Sequence, residues 1–442
     1  MNDLLRLLTL QDENTRLVVL GSALLGLSAG VVGSFAVLRR RALVGDAVAH
    51  AALPGVCAAW LVFGERSLPL FLAGGLLFGL LAVVCLAFLR AQTRIKDDAA
   101  MAVVLGSFFG LGIVLSRVAQ NRPSGALAGL DGFLFGKAAS MVRQDVEMIA
   151  LVSGASLVLV AVLFKEFQLV CFDRAFGGAQ GWPVGWLDLG LMSVLVCCTV
   201  VGLPAVGVVL MAALLVIPAV TARFWTDRLG VMVVLAGVIG AVASATGAGL
   251  SAVLPPPPGS LSRGWPTGPM IVLSATAAFG VSMLAAPRRG IVAEWLRRRA
   301  LVRRIAQQHL LRGVFECQEA GRDLGRAVSE RELLSARSWG EGELAAAVRV
   351  AVGRDLVTRE GDGLKLTPTG VEEASRVVRA HRLWALYLVD QAGIASDHVD
   401  RDADEIEHVL DAAVIRGLEE RLLATGKLPA SGRGLPVVGG EA

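Results

Sequence analysis

Long apolar runs, broken by short basic or turn-rich segments, fill the first two thirds of the chain. A helix needs about 20 apolar residues to cross the roughly 30 Å hydrocarbon core of a bilayer. Runs of this length predict helices over 16–38, 43–63, 68–89, 99–118, 146–164, 187–206, 208–225, 229–254 and 268–286. The sixth and seventh meet at Gly202-Leu203-Pro204, so the pattern gives eight or nine spans. Ala126 to Phe135 is apolar but too short to cross, which suits a re-entrant segment. Beyond Pro287 the pattern changes. AEWLRRRALVRRIAQQHLLRGVFE is a basic amphipathic stretch. Ser329 with Glu332, and Ser338 with Glu341, are capping boxes that each open a short helix. DLVTREGDGLKLTPTG reads as two short strands around Gly361-Asp362-Gly363, a hairpin turn. Helix, helix, helix, hairpin is a winged-helix order, and two more amphipathic helices follow it. The expected fold is therefore an all-α polytopic membrane protein with eight or nine spans, followed by a winged-helix plus helical domain. The expected parts are a membrane domain at 1–290, a basic juxtamembrane linker at 291–304 and a second domain at 305–442.

Composition agrees. Of 442 residues, 55% are hydrophobic, too many for a soluble chain of this length to cover. The formal net charge of +4 is small, and the arginines gather at the flanks of the apolar runs, a signature of topology more than of nucleic-acid binding. Arg39-Arg40-Arg41, then Arg90/Arg94/Lys96, Lys165/Arg174, Arg223/Arg228 and Arg288/Arg289 fall at alternate loops. Placing all five inside satisfies the positive-inside rule. The N-terminus is then outside and the polar third cytoplasmic, in the cell membrane of a prokaryote, although Arg117, Arg122 and Lys137 fall outside. Pro255 to Pro258 form a stiff outer spacer. The start of the chain lacks the basic region and small-residue site of a cleaved signal, so the first run is expected to stay as a helix. The six cysteines form no CxxC pair and give neither a disulfide framework nor a zinc ribbon.

Few polar groups sit inside the apolar runs. Asp46 and His50 in LVGDAVAHAALPG are spaced i, i+4, on one helix face, with Pro54 and Gly55 following to loosen the helix. Ionisable groups at such depth usually face a cavity or a pathway, and carboxylate with imidazole suits manganese, iron or zinc. The same spacing equally serves a structural hydrogen bond between helices. His50 is the one histidine of this half, which rules out a multi-histidine site there. Asp97-Asp98 stand where carboxylates cap a helix. In the polar third, Asp404, Glu407 and His408 are spaced i, i+3, i+4, and with His381 could form an oxygen-rich site with two imidazoles. A solvated acidic face with a packing histidine accounts for the same residues.

The membrane half resembles the metal-type permeases of ABC importers, the group serving manganese, zinc and iron. Seven segments match in order: VLRRRALVGDAVAHAALPG, DDAAMAVVLGSFFGLGIVLS, FLFGKAAS, FKEFQLVCFDRAFGGAQGWP, VGVVLMAALLVIPAVTARFWTDRL, GPMIVLSATAAFG and APRRG. The resemblance implies a homodimer with the pathway at its axis, a separate ATPase subunit and an extracytoplasmic metal-binding protein. It places Asp46 and His50 at positions proposed to contact the metal in transit. It places Phe172, Asp173, Arg174, Phe176 and Gly181 in the segment leading to the helix that couples to the ATPase. The proline-rich insertion at 255–266 departs from the usual shorter outer loop. The chain has no GxxxxGK[ST] phosphate loop, so ATP belongs to the partner subunit, this chain alone is not an enzyme, and no covalent cofactor is implied.

LTPTGVEEASRVVRAHRLWALYLVDQAG, the IEHVLD that follows and a final GRGLPV resemble the diphtheria-toxin-repressor and manganese-repressor family over roughly 305–437. The resemblance puts His381, Asp404, Glu407 and His408 on regulatory metal ligands. The carboxylate at 404 leans towards manganese over iron. It also sets His309 and Arg312 near the family's remaining ligands, where arginine is a poor donor, and Asp400 and Ala385 on an ancillary site. GEGELAAAVRVAVGRDL, in the place of a recognition helix, carries few bases and three acids, so DNA binding is not expected. The sequence thus points to the permease subunit of an ATP-driven importer for a divalent metal, manganese before zinc or iron, with a sensor-like tail that gates transport. A membrane-tethered transcription regulator is the alternative. A secondary transporter lacks support, since no inverted repeat is recognisable.

Overall fold

The computed structural model describes residues 13–41, 43–64, 67–121, 136, 138–255, 265–323, 325–336, 339–392 and 412–424. It divides into two compact units, 1–294 and 295–442.

In the first unit, nine helices among the described residues are long and apolar enough to cross a membrane. They are α1 (Glu13–Leu38), α2 (Val44–Phe63), α3 (Leu68–Gln92), α4 (Asp97–Gln120) and α5 (Arg143–Val162). Two short helices follow, α6 (Phe164–Phe172) and α7 (Arg174–Ala179). The remaining spans are α8 (Val184–Val206), α9 (Val208–Trp225), α10 (Leu229–Val253) and α11 (Thr267–Ala285). The expected span ends hold to within a turn. The ambiguity between eight and nine spans is resolved at Gly207, whose φ of 83° ends α8 one residue before α9 starts. Only glycine takes that conformation cheaply. Pro204, expected near this boundary, lies within α8.

Two cores organise the bundle. One joins α1, α2, α3, α4 and α8 through Phe35, Val48, Val56, Leu86, Val104 and Leu195. The other joins α1, α5, α9, α10 and α11 through Leu25, Ile149, Leu214, Ala248 and Ile271. Small residues allow close helix contact, as membrane interiors require. A Cβ on Gly26 of α1 would collide with the Gly240 carbonyl of α10, and a Cβ on Gly55 of α2 with that of Gly74 on α3. Buried hydroxyls turn back to their own helix: Ser34 donates to the Gly30 carbonyl at 2.8 Å and Thr199 to that of Leu195 at 2.7 Å. Ser28 and Ser153 bond across α1 and α5 at 3.0 Å. In α4, α5 and α11 only 22% of the most apolar window is buried, so their outer faces need an apolar medium.

Asp97 and Asp98 lie in the first turn of α4, not at its cap, and Asp97 Oδ1 lies 3.2 Å from Arg90 Nε. The apolar piece 126–135 and most of the proline-rich insertion lie outside the described residues.

Helix α12 (Ile291–Ala320) runs straight through residues 291–304, expected as a linker. No Gly or Pro interrupts that stretch, and Arg299 stacks on the Trp295 ring one turn away, 3.8 Å from its centroid. Then come β1 (Val328–Ser329), α13 (Glu330–Ala336), α14 (Glu341–Gly353), β2 (Val357–Glu360), β3 (Gly363–Leu366), α15 (Pro368–Ala392) and α16 (Ala412–Ala424). The three strands form an antiparallel sheet in the order β1-β3-β2, with Gly361 at φ 61° in the tight turn. This is the expected winged-helix order with one added strand. Leu310, Leu311, Val314, Leu333, Val348, Leu364 and Ala374 close its core. The Ser329 hydroxyl accepts from the Glu332 N–H at 3.2 Å, one half of the first capping box, while the Glu332 carboxylate pairs with Arg326. Ser338 of the second lies outside the described residues. There the Glu343 carboxylate accepts from the Gly340 N–H at 3.4 Å.

Candidate metal pathway and regulatory site

On α2, one turn brings His50 Nε2 to 3.6 Å from Asp46 Oδ1. Both side chains are partly open in the single chain, at 26% and 36% exposure, while Ala47, Val48, Ala51 and Val56 bury the remaining faces of the helix. The imidazole packs edge-on against Phe109 of α4, ring centroids 5.0 Å apart. Its Nδ1 is buried without a hydrogen-bond partner, although buried polar atoms are normally paired. Pro54 sits inside the helix one turn further on, where it cannot donate to the carbonyl four residues back, a peptide oxygen on the turn that carries His50. The carboxylate, imidazole and loosened helix are thus brought together, at a distance that leaves room for an ion to bridge Asp46 and His50.

At one end of the bundle, α6 and α7 form the segment expected to precede coupling. The Asp173 carboxylate accepts from the Phe176 N–H at 2.8 Å and caps α7, and Gly181 at φ 84° ends the turn after it. Phe172 and Phe176 are both more than half exposed. One phenyl group closes α6 and the other stands on α7, so two uncovered aromatic rings flank the Asp173 corner.

Arg174 of α7 leads to a residue that the sequence reading missed. Asp188, near the start of α8, accepts from Arg39 and, at 2.9 and 3.1 Å, from Arg41, while Arg174 Nη2 lies 3.5 Å away. A lone carboxylate in an apolar span must find a cation, and that was the available signal. The two partners that donate hydrogen bonds, Arg39 and Arg41, lie nearly 150 residues away in sequence, so no local spacing reveals them.

In the second unit, His381 of α15 is buried, and its Nδ1 lies 2.6 Å from Nη1 of Arg312 on α12. Arg312 is also buried and donates from Nε to Glu316 at 2.6 Å. A guanidinium carries no lone pair and keeps its charge, so it engages the His381 nitrogen without serving as a metal donor. Asp404, Glu407 and His408 lie outside the described residues, as does Asp400. Among the described residues no three His, Cys, Asp or Glu side chains converge on a metal position. Just past the end of α14, Arg354 donates to Gln307 Oε1 at 2.9 Å.

Residues 11–286 match the ABC 3 transport family, and residues 367–429 match the family described as iron dependent repressor, metal binding and dimerisation domain. The chain is 40% identical over 396 residues to the manganese transport system membrane protein MntC of Bacillus subtilis, covering 89% of this chain and 88% of that protein. It is 42% identical over 300 residues to the zinc transport system membrane protein TroC of Treponema pallidum, covering 68% and 97%. Among solved structures, PsaBC from Streptococcus pneumoniae in complex with Fab aligns with a TM-score of 0.54 at 30% identity, over 65% of this chain and 96% of that one. The chain therefore belongs to the ABC 3 transport family, as a membrane-spanning member that carries an iron-dependent-repressor domain after its last span.

Proposed function

We propose that this chain is the permease subunit of an ATP-driven importer for a divalent transition metal, manganese first, then zinc or iron. The observation that carries the reading is the pairing of Asp46 and His50 on α2, side by side, partly open and next to a proline. Two chains would meet with these residues at a shared axis, doubling the donor set with the same hard and borderline ligands. A solute-binding protein would deliver the ion from outside. A separate ATPase would dock on the corner between α6 and α7 through Phe172 and Phe176, with Asp173, Arg174 and Gly181 fixing the shape of the segment. The relatives named for manganese and zinc transport support the cargo class. The arginine-rich ends at 39–41, 174, 228 and 288–289 support an N-terminus outside and a second unit in the cytoplasm.

The test is metal uptake in cells that express the chain with its ATPase and binding protein, read by elemental analysis. Accumulation of one metal that disappears with Asp46→Ala supports the reading. A fully assembled complex that imports no metal overturns it.

We further propose that the second unit adjusts uptake to metal already inside, through His381, Asp404, Glu407 and His408. Arg312 supports a low-affinity version of this role, since a fixed cation beside a donor opposes a divalent ion. Inhibition of uptake by internal metal should be lost in His408→Ala, and unchanged inhibition would refute the role. The winged-helix fold alone favours a tethered DNA-binding regulator, and operator binding by the full chain without transport would establish that reading instead.

A further inference from the structure

Beside the Asp188 hub lies a cavity of about 270 Å³ whose polar wall is formed by Arg41, Arg90, Arg174 and Asp188 and whose apolar wall includes Leu86 and Met192. It opens at the end of the bundle that carries α7. The charge around it does not balance. Among the described residues, Arg39, Arg41, Arg90 and Arg174 pair with Asp188 and Asp97 alone, an excess of two positive charges, with Arg39, Arg41 and Arg90 largely buried and Arg174 at the open side. Asp188 is already shared among three guanidinium groups. Arg90 is the least satisfied: Nε lies 3.2 Å from Asp97 Oδ1, yet neither Nε nor Nη2, both buried, has a hydrogen-bond partner of good geometry. Burial first, and Arg41 next, hold the Arg39 guanidinium below its ordinary value, as expected where cations crowd without enough counter-charge.

A buried cation cluster without compensating anions is costly, and arginine's planar fork matches phosphate oxygens. We propose that this cavity is a binding site for a phosphate group, held by Arg90, Arg41 and Arg174. The group could belong to an anionic phospholipid, with its acyl chain along the apolar wall of α3 and α8, or to free phosphate. Because Arg174 belongs to α7, an occupied site would tie the end of α1, the end of α3 and the start of α8 to the helix that faces the partner. Its occupancy would stiffen the route by which α7 acts on the spans.

The experiment is thermal unfolding of the purified full chain in a neutral detergent, titrated with phosphatidylglycerol, phosphatidylcholine or inorganic phosphate. Phosphatidylglycerol or phosphate should raise the Tm of the wild type, and the half-saturating concentration should rise about tenfold or more in Arg90→Gln. Stabilisation by phosphatidylglycerol alone identifies a lipid headgroup, and stabilisation by phosphate at millimolar concentration identifies the free anion. Asp97→Asn removes the competing carboxylate and should bind more tightly than wild type, a check that survives if Arg90→Gln fails to fold. A wild type that neither ligand stabilises, an Arg90→Gln protein that responds like wild type, or an Asp97→Asn protein with no gain would each overturn the proposal.

Discussion

Asp46 and His50 invite separate substitutions because they supply different chemistry at one place. Loss of a support around a metal ligand costs 10–100-fold in affinity or activity, so loss of a direct donor should cost at least about tenfold in uptake. Asp46→Ala and His50→Ala should each reach that level, with the membrane content of the protein unchanged, measured by uptake against immunoblot. Arg312→Ala tests the regulatory site from the other side. Removing the cation beside His381 should lower the internal metal concentration that halves uptake. Cys171 on α6 gives a test by pH. Burial pushes its thiol up to about 11, so it stays protonated and maleimide should label it slowly at pH 7 in the folded protein. Since its value is raised on folding, that thiol's share of stability is present below 9.0 and lost as pH rises towards 11. What was readable at this scale followed spacing. Asp46 with His50 is an i, i+4 pair visible in a string of letters. Asp188 is not, because its partners at 39, 41 and 174 reach it only after the bundle has formed.

At the scale of the element, the spans were legible because hydropathy and length alone define a crossing helix, and their ends fall where Arg, Pro and Gly interrupt the runs. The short helices were not. Six residues of α7 carry no periodicity, and only the Asp173 cap and the Gly181 turn define them. Phe176→Ala should remove the uncovered phenyl group of α7 without disturbing the Asp173 cap. Truncating an anchor of this kind costs about 2 kcal/mol, roughly thirtyfold in affinity, so the ATPase should fail to co-purify while the permease still reaches the membrane. Gly26→Val does the reverse. Its side chain would enter the Gly240 carbonyl and part α1 from α10, so the folded yield should fall sharply while Gly154→Ala, on an open face, should not change it.

At the scale of the molecule, the composition changes after Pro287, the family match ends at 286 and the two compact units divide at 294. The basic juxtamembrane stretch at 291–304 lies in the first half of a 30-residue helix. A run of arginines looks like a spacer in composition. Spaced around a helix with alanine, leucine and tryptophan, it forms one all the same. The second half of α12 supplies Leu310, Leu311 and Val314 to the winged-helix core, so a cut at residue 304 would leave a frayed end, whereas a cut after 290 removes the unit whole. A chain ending at 290 should still accumulate metal and should no longer slow down as metal builds up.

Gly207 has a consequence for how the chain is made. With one residue between α8 and α9, two spans leave the ribosome without an intervening stretch that water could solvate. The Gly207 N–H donates back to the Leu203 carbonyl of α8 at 2.9 Å, and its own carbonyl accepts from the Met211 N–H of α9 at 3.1 Å, so the junction is closed by one helix on each side. A pair joined by one residue is expected to enter the bilayer as a single helical hairpin of about 40 residues, with its backbone groups satisfied inside each helix.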